Sequence, residues 1–290
     1  MLAVASAGTN CCRPVDVEGA REHNPAGAGG PGPSAAPGPA ATFSPMKPAL
    51  PLHAWLRYDA ILRQLRRAMG VRSVLEIGAG QGAVGVMLAR RFSYTGLEPD
   101  PTSFAAARSR FELAGVREMV NGDLSAIAPD TTFDLVCAFE VLEHIGDDAG
   151  AVAGWTARVR PGGWFLVSIP AGRHRFGAAD RKAGHFRRYD RADIDAVLTS
   201  AGLEDASVIT YGFPAGYALE AGRNVLARRA EAAATMSDRT AASGRWLQPP
   251  DWSGPAMHAL ALPLRAAQRP FGGTALGTGL VALARRPRPG

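Results

Sequence analysis

The pattern of apolar and polar positions alternates between two periods along most of the chain. Short continuous apolar runs are typical of strands buried on both faces of a sheet, and apolar steps of three and four residues are typical of amphipathic helices. Strands are predicted over 74–77, 94–100, 116–120, 133–139, 164–169, 208–211 and 274–284. Helices are predicted over 52–69, 83–91, 101–114, 147–159, 190–200 and 213–234. This alternation predicts an α/β fold with a mostly parallel sheet.

The first predicted helix, over 52–69, is amphipathic. Its apolar residues recur at steps of three and four, and several arginines, Arg57 among them, fill the other face. Gly70 follows and is expected to end the helix. We expect this helix to pack beside the first strand and to help cover a site at the end of that strand.

The first 48 residues differ in composition from the rest. Residues 26–41 are almost entirely Gly, Pro, Ala and Ser, without a periodic apolar face. Such a segment buries too little apolar surface to offset the entropy that ordering costs. We therefore expect a disordered tail over 1–48 and one domain over 49–290, with an insertion at about 213–273 before the last strand. The tail lacks the charged start and apolar core of a secretion signal.

Charge, hydropathy and cysteine usage limit the partners and the cellular location that we expect for the protein. The formal net charge is +6 over 290 residues, but the arginines are scattered rather than gathered in one stripe, so nucleic-acid binding is not expected. The sequence has no run of 18 apolar residues, so no membrane span is expected. Cys11, Cys12 and Cys137 show no metal-ligand spacing and cannot all pair within one chain, which favours a reducing, cytoplasmic location.

The strand at 74–77 leads into three glycines at alternate positions, Gly78, Gly80 and Gly82, and a helix follows. Glycines let the backbone bend and let a ligand approach it, and a helix N-terminus offers free N–H groups. A dinucleotide site has the spacing G-x-G-x-x-G and binds pyrophosphate there. Glu76, two residues before the first glycine, would repel pyrophosphate and suits a ligand that carries an amine or a sulfonium. A tight turn without a ligand is the structural alternative.

Acidic residues follow the next two predicted strands. Glu98, which precedes Pro99, lies about 20 residues beyond the start of the glycine turn, and an acid at that distance hydrogen-bonds the ribose hydroxyls of a nucleoside. Asp123 follows the third strand and would accept a hydrogen bond from an adenine amino group; its alternative is a turn residue after Asn-Gly. The fourth strand ends at Phe139 and Glu140, at the sheet edge where open α/β folds bind ligands.

Five strings occur here in a fixed order: EIGAGQG (76–82), the acid at 98, GD (122–123), FDLVCAFEVLEHI (133–145) and RPGGWFLVSIP (160–170). Together, over about residues 52–212, they resemble the core of the class I S-adenosylmethionine (SAM)-dependent methyltransferases. The resemblance implies a Rossmann-like sheet of seven mostly parallel strands with helices on both faces, and SAM as the cofactor. The cofactor-binding residues that it implies are Glu76, Gly78, Ala79, Gly80, Gln81, Gly82, Glu98, Pro99, Asp123, Leu124, Phe139 and Glu140.

The same resemblance implies a role for each part of this set. The three glycines would pass under the methionine and ribose parts of SAM. Glu98 would hold the ribose, Asp123 the adenine, and Glu76 would reach the methionine ammonium.

The acceptor is expected at the Glu140–His144 string. Glu140, Glu143 and His144 have the spacing of residues that share one helical face. His144 and His185 are the candidate general bases, which are needed only where the acceptor is a hydroxyl or an acidic carbon; a structural or solvent-facing histidine is the alternative for each. The string resembles one that binds Mg²⁺ in some O-methyltransferases, but many relatives with it are not known to need metal, and no metal is expected here.

Residues 171–189 are predicted to form a long basic loop that closes over the acceptor as a lid. Its sequence Gly184–Tyr189, with Asp180, resembles a pattern in one broad methyltransferase subgroup. The structural alternative is that Arg187 or Arg188 pairs with an acid such as Asp180 and closes the loop.

We expect a transferase that moves a methyl group from SAM to oxygen or carbon of a small-molecule acceptor. The fourth strand is not followed by Asn/Asp-Pro-Pro-Tyr/Phe, the motif of methyltransferases that act on planar amino groups. One alternative is an NAD(P)-dependent Rossmann oxidoreductase, against which the glycine spacing argues. The other is a non-catalytic partner protein of the same fold, against which the intact glycine motif and Glu98 argue.

Overall fold

The computed structural model of the protein describes residues 49–114, 119–229 and 249–289. The α-helices among these residues are α1 Leu52–Leu65, α2 Ala83–Ala89, α3 Pro101–Leu113, α4 Asp148–Thr156, α5 Ala178–Ala183, α6 Arg191–Ser200, α7 Ala215–Arg229 and α8 Gly254–Gln268. The strands are β1 Ser73–Ile77, β2 Ser93–Glu98, β3 Met119–Asn121, β4 Phe133–Phe139, β5 Val159–Pro170, β6 Glu204–Tyr211 and β7 Gly279–Arg285.

The seven strands form one sheet in the order β3-β2-β1-β4-β5-β7-β6. Strands β1 to β5 are parallel, and β7 runs antiparallel between β5 and β6. The predicted seven-stranded, mostly parallel sheet is therefore confirmed. The chain reverses its direction of winding between β1 and β4, and open α/β sheets bind ligands outside the carboxyl ends of strands at such a point.

Alternate residues of the central strands face two separate cores. Val74 and Cys137 belong to the core that includes residues of α1, α2 and α3. Leu75 and Val136 belong to the core that includes residues of α4 and α6. Both faces of these strands are buried, which explains why their sequences are continuous apolar runs. Helices on both faces of the sheet are thus confirmed. None of the described helices is long and apolar enough to cross a membrane.

Several element boundaries differ from the predicted ones. Helix α1 ends at Leu65 rather than 69, and α4 ends at Thr156 rather than 159. Strand β5 runs through the turn predicted at 160–163, because Gly162 and Gly163 exchange backbone hydrogen bonds with Arg286. Strand β6 begins at Glu204 rather than 208, and β7 begins at Gly279 rather than 274. Of the strand predicted over 116–120, residues 116–118 lie outside the described residues, and β3 comprises Met119–Asn121.

Helix α1 packs elsewhere than predicted. It contacts β5, β6, β7 and α8 rather than lying beside β1. The side-chain amide of Gln64 donates to the backbone carbonyls of Ser207 in β6 and Val281 in β7, at 2.5 and 3.2 Å. The helical period identified the apolar face of α1, but a period carries no information about which strands that face will cover.

Residues 171–189 do not form a plain loop, which corrects the prediction for this segment. It contains α5 and a 3₁₀ turn, and its last residues, Arg188 and Tyr189, are buried. The backbone N–H of Tyr189 donates to the carbonyl of Pro170 at 3.0 Å, so the two ends of the segment are held together. Arg188 pairs with Asp180, which is the structural alternative named above. A lid function for the segment stays a prediction.

Two predicted regions lie wholly or partly outside the described residues. These are the tail over 1–48 and the middle of the insertion, residues 230–248. The described parts of 213–273 form α7, which packs on α5, and α8, which packs on α1. Their role as an insertion is untested and stays a prediction.

Candidate active site

The turn after β1 contains three glycines for different reasons. Gly78, Gly80 and Gly82 all have positive φ angles, 66°, 56° and 74°, which glycine adopts without strain. A Cβ atom on Gly78 would lie 2.7 Å from the Val141 side chain, and one on Gly82 would lie 2.6 Å from the Phe111 ring. A Cβ atom on Gly80 would meet no atom within 4 Å. Gly80 is therefore the position at which the turn faces open space that a ligand would fill.

The two residues between these glycines hold the turn in place. The backbone N–H of Ala79 donates to the carbonyl of Leu97 in β2 at 2.8 Å. The carbonyl of Gln81 accepts a hydrogen bond from the Arg110 guanidinium of α3 at 2.5 Å. The turn is thus fixed by its neighbours on both sides before any ligand binds.

Glu98, at the carboxyl end of β2, braces the same turn. One carboxylate oxygen accepts from the backbone N–H of Gly80 at 2.7 Å, and the other accepts from Asp100 at 2.8 Å. Burial raises the pKa of Glu98, and the two backbone hydrogen bonds oppose that rise. Pro99, the next residue, is exposed. The structure thus joins two of the predicted cofactor-binding positions, Gly80 and Glu98, by a direct hydrogen bond.

Asp123 lies beside Glu98, because the N–H of Gly122 donates to the Glu98 carbonyl at 3.1 Å. Its side chain accepts from the backbone N–H and hydroxyl of Ser125, at 2.9 and 2.6 Å, and so caps a 3₁₀ turn that begins at Leu124. These hydrogen bonds lower the pKa of the exposed Asp123 carboxyl. The turn role was the alternative for this residue, and its role toward adenine stays a prediction.

Glu76 is bound within the protein rather than standing free at the turn. It is buried in β1 and accepts a hydrogen bond from the Tyr94 hydroxyl of β2 at 2.6 Å. Burial raises the pKa of Glu76 to about 7, against the opposing effects of the Tyr94 hydrogen bond and the Arg57 charge. The carboxyl group is therefore poised between its neutral and charged forms near neutral pH, and its contact with an ammonium group stays a prediction.

Glu140 does not share a helical face with Glu143 and His144, and that prediction is wrong. Strand β4 ends at Phe139, and Glu140 follows with a φ angle of 57°. A residue in this left-handed conformation interrupts any right-handed helix. Only Leu142–His144 form a 3₁₀ turn, so Glu140 lies outside the turn that contains the other two residues.

Instead, Glu140 collects partners from three other elements. Its Oε1 accepts from the Ser168 and Tyr211 hydroxyls, each at 3.2 Å. Its Oε2 lies 3.6 Å from an Nη atom of Arg57 in α1. Burial alone would lower the pKa of Arg57, but Glu140, Tyr211 and Glu143 together outweigh it and raise that pKa. Arg57 and Tyr211 were missed as site residues, because one belongs to a helix and the other to a strand with no local motif.

Glu143 is a fully buried carboxyl group beside this cluster. Neither of its carboxylate oxygens has a hydrogen-bond partner among the described residues. Burial, and after it the charge of Glu140, raise the pKa of Glu143 well above its ordinary value. Buried polar atoms are almost always hydrogen-bonded in proteins, so the unpartnered carboxyl group of Glu143 is a candidate ligand-binding group.

The two histidines predicted as catalytic come together at this point. The rings of His144 and His185 lie 4.7 Å apart at 85°. Nδ1 of His185 lies 2.9 Å from Oδ1 of Asp180, and its Nε2 lies 3.8 Å from Oε1 of Glu143. Burial lowers the pKa of His144 to about 4. The sequence proposed each histidine separately, and the fold makes them neighbours.

A family model described as a methyltransferase domain matches residues 52–208, more than half of the chain. The chain belongs to this family and is of the SAM-dependent methyltransferase class. The oxidoreductase alternative is thereby excluded.

Two relatives illustrate the similarity in sequence. A protein of Mycolicibacterium smegmatis (strain ATCC 700084 / mc(2)155), named as a probable SAM-dependent methyltransferase, is 32% identical over 154 residues, which are 51% of this chain and 58% of that protein. A ubiquinone biosynthesis O-methyltransferase of Methylobacterium sp. (strain 4-46) is 39% identical over 99 residues, which are 33% of this chain and 40% of that protein. The chain thus spans about half the length of the curated relatives that it matches.

Solved structures share the fold. Phosphoethanolamine N-methyltransferase 2 of Haemonchus contortus, in complex with SAM, has a TM-score of 0.51 and 17% identity over 80% of this chain and 53% of its own. A SAM-dependent methyltransferase of Thermotoga maritima has a TM-score of 0.50 and 17% identity over 81% of this chain and 91% of its own. At this identity the likeness establishes the fold alone.

Proposed function

We propose that this chain transfers the methyl group of SAM to an oxygen or carbon atom of a small-molecule acceptor. The observation that carries the proposal is the glycine turn. Gly78 and Gly82 are closed by packing, whereas Gly80 faces open space and is hydrogen-bonded to the buried Glu98. A turn that only connected β1 to α2 would have no need of that space.

The cofactor would lie along the carboxyl ends of β1, β2 and β4. Gly78 to Gly82 would lie beneath its methionine and ribose parts, and Glu98 with Pro99 would bind the ribose. Asp123 with Leu124 would bind the adenine, and Phe139 with Glu140 would form the wall on the β4 side. SAM supplies a methyl group on a positively charged sulfur, so the task of the protein is to position an acceptor in line with the carbon–sulfur bond.

The acceptor would bind at the cluster of Arg57, Glu140, His144, His185 and Tyr211. The ubiquinone biosynthesis O-methyltransferase relative supports an oxygen acceptor. A hydroxyl acceptor must lose its proton to become a good nucleophile, and the imidazoles of His144 and His185 would assist that loss. Asp180 fixes the His185 ring through Nδ1, which leaves Nε2 to act.

A small molecule suits this surface better than a nucleic acid. Several arginines near the site are engaged by carboxylates: Arg57 by Glu140, Arg187 by Asp148, and Arg188 by Asp180. Paired arginines of this kind are not available to phosphates. A cytoplasmic location belongs to the same proposal and rests on cysteine usage.

Calorimetric titration and a transfer assay test the proposal. S-adenosylhomocysteine should bind the wild-type protein with one site, and labelled methyl groups should pass from SAM to catechols or phenols in preference to amines. Failure of the folded protein to bind S-adenosylhomocysteine would refute the cofactor assignment. Binding without transfer to any oxygen, carbon or nitrogen acceptor would support the non-catalytic alternative.

A further inference from the structure

Three potential metal-ligand atoms converge just beyond the carboxyl end of β4. They belong to the Glu143 carboxylate and the imidazoles of His144 and His185, and one ligand atom from each lies within 4.8 Å of the others. Glu143 is fully buried, and neither of its oxygens has a partner in the described part of the chain. Nε2 of His185 is 3.8 Å from the nearer oxygen, beyond hydrogen-bond distance.

Each of the two rings has a nitrogen that the described part of the protein does not use. His185 uses Nδ1 for Asp180, at 2.9 Å, and so presents Nε2. Nδ1 of His144 has no hydrogen-bond partner in the described part of the chain. Metal-binding histidines almost always donate their other N–H to a carboxylate or a backbone carbonyl, which fixes the tautomer and the ring. Asp180 stands in that place for His185.

We propose that Glu143, His144 and His185 bind one divalent transition-metal ion of the Zn²⁺ type. Two imidazoles and one carboxylate are the ligand set of open zinc sites, which keep a fourth position for water or substrate. Mg²⁺ prefers oxygen ligands in octahedral geometry and is disfavoured by this set.

Glu140 is excluded from the site, although its spacing in the sequence suggests a ligand. It does not belong to the group of converging ligand atoms, and its two oxygens are engaged by Arg57, Ser168 and Tyr211. The third ligand, His185, instead comes from the segment after β5. The residues of the proposed site are therefore joined by tertiary structure and not by one sequence string.

The distances require a small contraction on binding. Ligands at the usual 2.0–2.1 Å from a tetrahedral zinc ion lie about 3.4 Å apart. The three atoms, which lie within 4.8 Å of one another, would therefore move closer together when an ion binds. The histidines are partly exposed, which gives an ion a path to the site.

On the proposed function, the fourth position would hold the oxygen of a hydroxyl acceptor. With the ion bound, His144 and His185 would be its ligands, and the ion would replace them in promoting loss of the acceptor proton. Binding there would release the hydroxyl proton to water, because a bound divalent ion lowers the pKa of an oxygen ligand. The oxygen would then form a bond to the methyl carbon as the carbon–sulfur bond breaks, and the sulfonium would become a neutral thioether. No oxidant or reductant is needed.

Cobalt substitution provides a readout independent of activity. Untagged protein, first treated with a chelator and dialysed, is titrated with CoCl₂ and then with ZnCl₂. We expect one equivalent of Co²⁺ to produce the intense visible absorption of a tetrahedral site, and Zn²⁺ to abolish it. A weak octahedral spectrum, or the absence of saturable binding, would overturn the proposal.

Matched variants identify the ligands. Glu143→Gln and His185→Gln should each weaken Co²⁺ binding by more than the ~10–100-fold typical of an outer-shell change. His174→Ala, which removes an exposed histidine from the same segment, should leave the spectrum unchanged. Glu140→Gln should also keep it; its loss in Glu140→Gln would instead favour the contiguous Glu140, Glu143 and His144 set. Unfolding curves confirm that each variant is folded.

Binding of S-adenosylhomocysteine to the metal-free protein separates the two proposals. If the nucleoside binds and cobalt does not, the metal site is refuted and the methyltransferase proposal stands. If cobalt binds and the nucleoside does not, the cofactor assignment is refuted and the metal site stands.

Discussion

The candidate site has two halves that are built by different means. The cofactor half comprises the turn Gly78–Gly82 with Glu98 and Asp123. Its geometry depends on backbone conformation and on hydrogen bonds between residues that are close in sequence or in adjacent strands. The acceptor half comprises Arg57, Glu140, Glu143, His144, Asp180, His185, Arg188 and Tyr211. It depends on buried charged side chains from six different elements or connecting segments.

Because of this difference, we expect substitutions in the two halves to have different effects on stability and on ligand binding. The glycine turn has room for few side chains. A side chain added there should weaken ligand binding more than it disturbs the packing of the core. A buried ion network is costly to break, because the partner of a removed charge stays behind without compensation. Variants in the acceptor half should therefore mainly lower stability, and variants in the cofactor half should mainly lower ligand affinity.

The largest effect is expected for Asp180→Asn in the acceptor half. Burial alone would raise the pKa of Asp180, but hydrogen bonds from His185 and Arg188 outweigh it and lower that pKa to about 2. Removing the charge leaves the buried Arg188 guanidinium with less compensation and should cost about 3–5 kcal/mol of unfolding free energy. Urea denaturation measures it. Glu112→Gln, which breaks the exposed pair with Arg108, is the control and should cost less than about 1 kcal/mol.

Gly80→Val, in the cofactor half, should lower ligand affinity more than it lowers stability. A side chain at Gly80 enters open space, so S-adenosylhomocysteine affinity should fall at least ~100-fold, equivalent to about 2.7 kcal/mol. The left-handed backbone should also cost roughly 1–2 kcal/mol of stability.

Gly70→Val is the matched control, because Gly70 also has a positive φ angle and open space around its Cβ direction but follows α1, away from the turn. It should lose similar stability and keep full affinity in the same calorimetric titration. Equal affinity in both variants would contradict the ligand assignment of Gly80.

Much of the cofactor half was predictable because its signals are local. Gly78, Gly80 and Gly82 are spaced for a turn, and Glu98 follows the next strand. The acceptor half was predictable only in fragments. His144 and His185 were proposed one by one, but their contact depends on how the segment after β5 folds back. The helical period predicts that Arg57 faces solvent. The packing of α1 near β6 and β7 instead brings Arg57 to Glu140.

A smaller, pH-dependent effect is expected at Glu76. Its folded pKa of about 7 exceeds its ordinary value of 4.5, so its contribution to stability is complete below pH 4.5 and is lost as the pH rises through 7. Relative to Glu76→Gln, the wild-type protein should lose about 2 kcal/mol between pH 5 and pH 8.

Denaturant melts of both proteins across that range measure the difference. Tyr94→Phe removes a hydrogen bond that lowers the Glu76 pKa and should move the wild-type inflection to higher pH. A difference between wild type and Glu76→Gln that does not change with pH would show that Glu76 stays charged.

The smallest effect is expected for Tyr189→Phe. The Tyr189 hydroxyl donates to an Asp148 carboxylate oxygen at 2.9 Å, and Arg187 also contacts that oxygen, at 2.7 Å. Loss of the hydroxyl should cost about 1 kcal/mol of stability, with S-adenosylhomocysteine affinity unchanged. Methyl transfer that falls strongly while stability is unchanged would instead support the predicted lid over 171–189.

The position of β7 has a consequence for how the protein is made. Strand β6 pairs only with β7 in the described sheet, and β7 lies between β5 and β6. A ribosome that has released residues up to Tyr211 has therefore exposed an apolar strand whose neighbour, Gly279–Arg285, is not yet synthesised. Through that interval the edge of β5 is also uncovered, and such edges recruit other chains. The edges of β5 and β6 therefore stay open to such pairing until β7 emerges and closes the sheet.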